Sequence, residues 1–293
     1  MNKNSAPDTA LVELARREQL PASYPEMARR WFTPLAEWLC AARSGGEHCL
    51  LVGLNGAQGT GKTTLCEVLE LMVGQQGFRM ATLSLDDFYL ERSERARLAE
   101  TVHPLLVTRG VPGTHDTALM QEVLDQLAAG EDVLCPVFDK AADDRLPRSQ
   151  WRHVTPADIV VLEGWCIGVG AQSAAALAKP VNALEEKEDP DGSWRSFVNE
   201  RLQAEYSQLF ARFDKQVMLR APSLDCVLEW RRLQEEKLAG RRSGQGVMDA
   251  AAVQRFVQHY ERLTLHGLQT LPGQVDYLLE VAEDHSIVGA TVR

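Results

Sequence analysis

The residues with the clearest chemical signature form a glycine-rich loop early in the chain. Residues 56–63 read Gly-Ala-Gln-Gly-Thr-Gly-Lys-Thr, which fits the pattern Gly-x-x-x-x-Gly-Lys-Ser/Thr without a mismatch. Glycines let a backbone fold around phosphate oxygens with its N–H groups pointing inward, and a helix that begins there adds the positive end of its dipole. A chance glycine-rich turn is the alternative, but an apolar run precedes the loop and a helical pattern follows it. The sequence therefore predicts a site for nucleotide phosphates.

The polar residues of this loop receive separate roles. Lys62 is expected to reach the β- and γ-phosphates, and the Thr63 hydroxyl to ligate Mg²⁺, with Thr64 as the less favoured candidate. The sequence contains no Asn-Lys-x-Asp segment that would read guanine, which disfavours GTP. We therefore expect ATP and Mg²⁺ as cofactors. The predicted nucleotide contacts are Gly56, Ala57, Gln58, Gly59, Thr60, Gly61, Lys62, Thr63 and Thr64.

Acidic residues follow two apolar runs that read as strands. Glu163 ends the run 159–162, so in a parallel sheet it emerges at the same edge as the phosphate loop and can help to hold Mg²⁺. Asp86 and Asp87 follow the run 82–85, where an acid can serve as the general base for an incoming hydroxyl. Capping of a helix or turn is the alternative, and it suits Asp87 better than Asp86.

A loop dense in glycine, proline and polar residues precedes the next predicted helix. Residues 108–116 read Thr-Arg-Gly-Val-Pro-Gly-Thr-His-Asp. A tight turn with Asp116 capping the helix explains Gly113 and Asp116, but no turn demands Arg109 or His115. A functional use of the arginine and the histidine therefore stays open beside the turn.

These stretches resemble the phosphoribulokinase, uridine kinase and pantothenate kinase class of P-loop kinases. Ser-Leu-Asp-Asp-Phe-Tyr at residues 84–89 is similar to the class's Ser-x-Asp-x-Phe-Tyr, whose aspartate, here Asp86, lies close to the phosphate-accepting hydroxyl. Leu-Glu-Gly at residues 162–164 resembles the strand-end Glu-Gly of the class, and residues 109–116 look most like a segment of the D-glycerate 3-kinase family. The resemblance runs from about residue 50 to the C-terminus.

The resemblance extends to a second stretch. Pro-Val-Phe-Asp-Lys at residues 136–140 and Asp-Arg at residues 144–145 resemble the family's Pro-x-Tyr-Asp-Lys and its downstream Gly-Asp-Arg, with Phe138 replacing tyrosine and removing a hydroxyl. The resemblance implies cationic donors for a small carboxylate acceptor, histidine included. Alternatively, Lys140 and Arg145 belong to a solvated charged stretch. The implied acceptor-binding residues are Asp86, Tyr89, Arg109, His115, Asp139, Lys140 and Arg145.

Residues 229–237 form a predicted helix of mixed charge. Most residues of such a helix form a solvated face with i,i+4 ion pairs. In the resembled class a lid in this region carries an arginine to the transferring phosphoryl group. We assign this role to Arg231, with Arg232, Arg241 and Arg242 as alternatives, so that the expected catalytic residues are Lys62, Asp86 and Arg231.

Hydrophobic periodicity predicts the elements that must position these residues. Short apolar runs alternate with helical patterns, which is typical of a P-loop NTPase-type α/β fold with a doubly wound parallel sheet flanked by helices. Residues 1–47 read as a helical N-terminal extension and residues 48–293 as the kinase domain with a helical lid. The predicted strands cover residues 49–54, 79–85, 133–138, 159–162, 215–219 and 277–281. The predicted helices cover residues 63–73, 117–129, 193–213, 224–238 and 250–268, with an exposed loop at 184–193.

Composition narrows the class of function. The chain has 293 residues, 45% of them hydrophobic, and its net charge of −10 argues against a general affinity for nucleic acid. Its six cysteines form no Cys-x-x-Cys pair, which favours reduced thiols over disulfides or a zinc site. The sequence has no apolar core of signal-peptide length and no run of ~18 apolar residues, so we expect a cytoplasmic protein with no membrane partner.

The predicted function is that of an ATP- and Mg²⁺-dependent kinase acting on a small hydroxylated metabolite, with D-glycerate as the favoured acceptor. A kinase of the same class for pantothenate or a nucleoside is one alternative, because a fold does not determine a substrate. A P-loop ATPase or switch acting on a protein partner is another, but it would have no need to combine Asp86, Arg109 and His115. The sequence does not predict an oligomeric state.

Overall fold

The computed structural model describes residues 5–46, 48–241 and 250–293. A central sheet and two short ribbons contain its strands. In chain order the strands are β1 (Leu50–Gly56), β2 (Met80–Ser84), β3 (Val133–Cys135), β4 (Phe138–Asp139), β5 (Asp144–Arg145), β6 (Arg152–Val154), β7 (Ile159–Gly164), β8 (Lys215–Arg220), β9 (Tyr277–Val281) and β10 (Ile287–Val292).

Six of these strands form the central sheet in the order β10-β9-β8-β1-β7-β2. The strands from β9 to β2 run parallel, and β10 pairs antiparallel with β9 at one edge. Every residue of β1 and β7 is buried, as expected for parallel strands that helices cover on both faces. The predicted parallel sheet flanked by helices is therefore confirmed, and the antiparallel β10 is an addition to it.

Helices cover both faces of the sheet. None in the described ranges is long and apolar enough to cross a membrane. The helices are α1 (Ser5–Arg17), α2 (Tyr24–Ser44), α3 (Lys62–Gln75), α4 (Arg92–Thr101), α5 (Thr117–Ala128), α6 (Ala174–Leu177), α7 (Ala183–Glu188), α8 (Ser193–Arg201), α9 (Ser207–Phe210), α10 (Leu224–Arg241) and α11 (Ala250–Thr270).

The core has two layers, one on each face of the sheet. Apolar side chains of α5, α8 and α11 pack on one face. Those of α1, α2 and α3 pack on the other, where Leu35 and Ala36 of α2 are completely buried. The helices expected before residue 47 are thus present from Ser5 and pack on the helix that follows the phosphate loop.

Strand register brings three functional segments to one edge of the sheet. Glu163 in β7 is the register partner of Leu54 in β1 on one side and of Ser84 in β2 on the other. The glycine-rich loop follows β1, and a 3₁₀ turn, Leu85–Phe88, follows β2. Because the carboxyl ends of parallel strands meet at one edge, the loop, Glu163 and Asp86 lie close together.

The strand predicted at residues 133–138 does not join the central sheet. Instead β3 pairs antiparallel with β6, and β4 pairs antiparallel with β5. Pro136 separates β3 from β4, and a proline cannot donate to a strand ladder. Both short strands pair antiparallel with segments that follow soon after them in the chain, and they do not pair with the strands of the central sheet.

The stretch 184–193, expected as an exposed loop, is partly helical and partly buried. Asn182 caps α7, because its side chain accepts the Glu185 N–H at 3.0 Å. The Glu185 and Asp189 side chains are completely buried and form ion pairs with Arg262 and Arg195, at 2.6 and 2.8 Å. Charged composition misled the prediction, since a paired and hydrogen-bonded carboxylate can be buried.

Two further helical features differ from the prediction. Helix α4 was not predicted because its sequence lacks a regular apolar stripe; it begins with a capping box between Glu91 and Glu94. The helix predicted over residues 193–213 is interrupted by a π-helical turn at Leu202–Tyr206.

Candidate active site

The glycine-rich loop has the backbone geometry that phosphate binding needs. Gly61 stands before the first residue of α3 with a φ of +90°, and no side chain caps the helix there. The first N–H groups of α3 are therefore open to an anion. Gly59 has a φ of +81°, and a Cβ on it would lie 2.6 Å from the Cβ of Trp230. This close approach explains why the loop has glycine at that position.

Lys62 and Glu163 face one another at the mouth of the loop. The Lys62 ammonium donates to the Ala57 carbonyl at 3.3 Å and lies 3.9 Å from Oε2 of Glu163. The Glu163 side chain is buried, and its Oε1 accepts a hydrogen bond from the Ser84 hydroxyl at 2.8 Å. The start of α3 and the end of β7 thus bring a cation and a carboxylate together beside the loop.

A cavity of about 460 Å³ extends from this loop toward α10 and α11. The predicted site residues that line it are Gln58, Gly59, Gly61, Lys62, Thr63, Thr64, Asp86, Tyr89, Arg109, Lys140, Glu163 and Arg231. Further lining residues are Ser84, Gly164, Trp165, Gln234, Phe256 and Tyr260. The predicted site residues that do not line it are Gly56, Ala57, Thr60, His115, Asp139 and Arg145.

Asp86 faces this cavity with both carboxylate oxygens engaged. The Tyr89 hydroxyl donates to Oδ1 and the Lys140 ammonium donates to Oδ2, each at 2.6 Å. Burial alone would raise the pKa of Asp86, but the Lys140 charge, both hydrogen bonds and the more distant Lys62 outweigh it and lower the pKa to about 2. Asp86 is therefore ionised at neutral pH.

Asp87 does not line the cavity. Its Oδ1 accepts the backbone N–H of Phe138 at 3.2 Å, which ties the turn after β2 to the β4 ribbon. Burial raises the pKa of Asp87, the opposite direction from Asp86. The two adjacent carboxylates therefore differ in environment, and only Asp86 is placed to meet a ligand of the cavity.

Arg109 lines the cavity, and an ion pair with another residue holds its guanidinium in place. Its guanidinium forms an ion pair with Asp143. Asp143 is also bound by the buried Arg95, whose Nη2 lies 3.0 Å from the Asp143 carboxylate. The Arg109 guanidinium lies 5.3 Å from the Phe138 ring centroid. The aromatic residue that replaces tyrosine thus packs against a cation of the site.

His115 lies behind the cavity wall. It is 4% exposed, stacks on Tyr89 with ring centroids 4.7 Å apart, and its Nδ1 lies 2.5 Å from the Tyr206 hydroxyl. Burial lowers the pKa of His115 to about 4, although the charge of Asp86 acts in the opposite direction. His115 is therefore neutral at pH 7, which corrects the expectation that it supplies a positive charge to an acceptor.

Arg145 and Asp139 shape the backbone around the site. Arg145 donates through Nη2 to the Tyr89 carbonyl at 2.9 Å and pairs with Asp116 at 3.2 Å. Asp116 also caps α5, as the sequence predicted, by accepting the Leu119 N–H at 3.0 Å. Asp139 accepts backbone N–H groups of the turn that follows it. Neither Arg145 nor Asp139 reaches the cavity surface in this arrangement.

Of the candidate lid arginines, Arg231 lines the cavity. Its guanidinium lies 5.1 Å from the Phe256 ring centroid, and its Nη1 donates to Gln234 at 3.3 Å. Arg232 points elsewhere and forms ion pairs with Glu229 and Glu236 on the exposed face of α10. The Arg241 side chain and all of Arg242 lie outside the described part of the chain.

Three aromatic residues that line the cavity, Trp165, Phe256 and Tyr260, were not predicted as part of the site. The Trp165 indole donates to the Gly110 carbonyl at 3.0 Å, and the Tyr260 hydroxyl donates to the Arg109 carbonyl at 2.9 Å. Phe256 and Tyr260 are spaced i,i+4 and so share one face of α11. That spacing is equally typical of a core stripe, so the sequence alone could not assign them to a cavity.

The donor set at the loop fits Mg²⁺. Thr63 and Glu163 offer hydroxyl and carboxylate oxygens, which are the ligands that a hard cation prefers. Among the described residues, no group of three or more His, Cys, Asp or Glu side chains is placed to hold a metal. A magnesium ion here would therefore be shared with nucleotide phosphates, as is usual for this metal.

Comparisons with known proteins point to kinases. The model of the phosphoribulokinase / uridine kinase family matches residues 51–177. An uncharacterized kinase of Schizosaccharomyces pombe, mug58, is 32% identical over 250 residues, which cover 80% of this chain and 88% of that protein. The chloroplastic D-glycerate 3-kinase of Arabidopsis thaliana is 32% identical over 223 residues, or 72% of this chain. This chain spans 46% of the Arabidopsis protein.

A solved structure shares the fold over most of its length. The D-glycerate 3-kinase of Cryptococcus neoformans var. grubii superposes with a TM-score of 0.73 at 26% sequence identity. The match covers 89% of this chain and 99% of the Cryptococcus chain.

Proposed function

Since this chain belongs to the phosphoribulokinase/uridine kinase family of P-loop kinases, we propose that it transfers the γ-phosphate of ATP to a hydroxyl of D-glycerate. One observation carries the proposal. A single cavity is lined by the phosphate loop, by Asp86 and by two further cations, Arg109 and Lys140. This is the arrangement that a small anionic acceptor requires.

The residues of the glycine-rich loop and its neighbours are assigned to binding the phosphates. Backbone N–H groups and Lys62 bind the phosphates, and Arg231 reaches the transferring phosphoryl group from α10. Thr63 and Glu163 would hold Mg²⁺, which would neutralise charge on the phosphates. Ser84 orients the Glu163 carboxylate through its 2.8 Å hydrogen bond.

The residues that bind the acceptor are inferred from the charge that the acceptor carries. A carboxylate near the nucleotide's own phosphates meets strong repulsion, so its site needs cations of its own. Arg109 and Lys140 supply them, while His115 and Arg145 fix the position of Tyr89 from behind. Asp86, ionised at neutral pH, accepts the proton of the acceptor hydroxyl as that oxygen attacks the γ-phosphorus.

Two alternative functions make different demands on the site. A kinase for a nucleoside or pantothenate would use the same loop and Asp86. A nucleoside is neutral, however, and would not need Arg109 and Lys140 as cationic partners. An ATPase or switch acting on a protein partner would need no enclosed acceptor side. The polar cavity that contains Asp86 favours a small-molecule acceptor over a protein partner.

An acceptor-dependent ADP-release assay tests the proposal. The panel comprises D-glycerate, L-glycerate, glycerol, pantothenate, uridine and a blank, with Lys62→Ala as the inactive control. We expect D-glycerate to stimulate ADP release and glycerol, which lacks the carboxylate, to be a very poor acceptor. Equal turnover of glycerol and glycerate would refute the carboxylate site, and stimulation by uridine alone would move the protein to the nucleoside branch.

The domain division and the compartment remain part of the proposal. We assign residues 1–47 to a helical extension and residues 48–293 to the kinase domain. Cytoplasmic location stays a prediction from the sequence, because the Arabidopsis relative is chloroplastic by name.

A further inference from the structure

Both oxygens of the Asp86 carboxylate are engaged by the protein itself. The Lys140 ammonium and the Tyr89 hydroxyl each donate to it at 2.6 Å. Two short hydrogen bonds, one of them from a cation, stabilise the ionised form of a carboxylate and so lower its basicity. This arrangement holds Asp86 away from the proton-accepting role that the proposed function gives it.

The two donors differ in how easily they can leave Asp86. Tyr89 is 4% exposed and is held by stacking on His115. The Lys140 side chain is 62% exposed and reaches Asp86 with a flexible aliphatic stem. Exposed ion pairs contribute little to stability, because water and salt screen them. The Lys140 contact is therefore the one that a ligand can replace.

The backbone beneath Lys140 is anchored on both sides. Before the turn, the Asp139 carboxylate accepts the N–H groups of Ala141 and Ala142 at 2.8 and 3.2 Å. After it, the buried Arg95 donates to the Asp143 carbonyl at 2.6 Å. Lys140 can therefore exchange partners by rotating its side chain, without a movement of the turn.

We propose that Lys140 is a latch on Asp86, which a carboxylate-bearing acceptor opens. The acceptor's carboxylate takes over the Lys140 ammonium, and Asp86 becomes free to accept the hydroxyl proton. The hydroxyl oxygen then bonds to the γ-phosphorus, the bond from that phosphorus to the β,γ-bridging oxygen breaks, and ADP leaves. Water carries no carboxylate and leaves the latch closed, so the latch suppresses hydrolysis of ATP.

This proposal rests on the proposed function for the nature of the acceptor, but its effect on hydrolysis can be measured without one. We expect Lys140→Met to raise acceptor-free ADP release about 10-fold, which is less than the 10²–10⁴-fold that a general base contributes. The same variant should lower kcat/KM for D-glycerate about 10-fold or more. Adding Asp86→Asn to Lys140→Met should abolish the rise in hydrolysis.

Two control variants isolate the latch. Lys140→Arg keeps a cation and should raise acceptor-free hydrolysis less than Lys140→Met does. Lys187→Met removes an exposed lysine of α7 outside the cavity and should match the unmodified protein in both assays. Thermal melts of all variants establish that the folded fraction is equal.

The possible outcomes distinguish the proposed latch from two other roles that Lys140 could have. A fall in both hydrolysis and transfer in Lys140→Met would mean that the lysine acts on the phosphates, and unchanged hydrolysis with impaired transfer would mean that it only binds the acceptor. Either result overturns the latch. If the unmodified protein does not phosphorylate D-glycerate, yet hydrolysis in Lys140→Met rises and depends on Asp86, the acceptor assignment fails and the latch stands.

Discussion

Ser84 and Glu163 are register partners on adjacent parallel strands, and the Ser84 hydroxyl donates a 2.8 Å hydrogen bond to Oε1 of Glu163. The bond fixes which oxygen of the buried carboxylate points toward Lys62. It also gives a position beside the predicted metal ligand to Ser84, which the sequence analysis quoted in a motif but assigned no role.

Ser84→Ala should weaken the apparent affinity for Mg²⁺ about 10-fold, because partners that orient a metal-binding carboxylate typically contribute 10–100-fold. The measurement is initial rate against Mg²⁺ concentration at saturating ATP. Thr82→Val is the matched control on the same strand, since the Thr82 hydroxyl donates to the exposed Glu70 instead. An equal response of the two variants would contradict the role of Ser84.

Gly59→Ala should reduce kcat/KM for ATP more than about 100-fold, because the added Cβ would lie 2.6 Å from the Trp230 Cβ and displace the loop. Gly77→Ala is the control, since Gly77 has a similar φ of +86° but nothing within 4 Å of an added Cβ. It should cost only the ~1–2 kcal/mol of left-handed strain and leave ATP kinetics unchanged. Steady-state kinetics and urea unfolding compare the two.

Asp86→Asn should lower kcat by roughly 10²–10⁴-fold while the KM for ATP changes little, because the carboxylate acts on the acceptor hydroxyl and not on the nucleotide. Asp87→Asn should have a much smaller effect, since Asp87 binds the Phe138 N–H outside the cavity. The reverse order of the two effects would show that the base has been assigned to the wrong residue.

Arg109→Ala should reduce kcat/KM for D-glycerate about 30-fold or more, which corresponds to roughly 2 kcal/mol of lost charge pairing. The KM for ATP should stay nearly constant. Arg97→Ala, which removes an exposed arginine of α4, is the control. A parallel loss of ATP affinity in Arg109→Ala would place the arginine on the phosphates.

His115 should make stability pH-dependent. Burial lowers its pKa from 6.5 to about 4, so between these values the unfolded chain binds the proton more tightly than the folded one. The contribution of His115 to the free energy of unfolding is therefore fully present above about pH 6.5. It is lost as the pH falls toward 4, by about 3 kcal/mol in total. Urea unfolding between pH 4.5 and 7.5 measures the slope. His115→Gln should flatten it, whereas His153→Gln, at an exposed histidine, should not.

Local sequence was sufficient where one stretch encodes both the backbone and the chemistry. The phosphate loop and the turn that carries Asp86 are of this kind, because consecutive residues specify the strand end, the turn and the polar side chain that lines the cavity. His115 and Arg145 were harder, since their burial and partners depend on Tyr206 and Asp116 in separate elements. No local pattern distinguishes a charged residue that lines a cavity from one that supports it.

Trp230 constrains how α10 can move. The residue is 3% exposed, its indole donates to the Glu283 carbonyl at 2.9 Å, and its ring centroid lies 4.4 Å from that of His285. The adjacent Arg231 faces the cavity. Trp230 packs against both Gly59 and the β9–β10 turn, so a rotation of α10 about its own axis that moves Arg231 also changes these contacts. The position of α10 is therefore coupled through Trp230 to that of the phosphate loop.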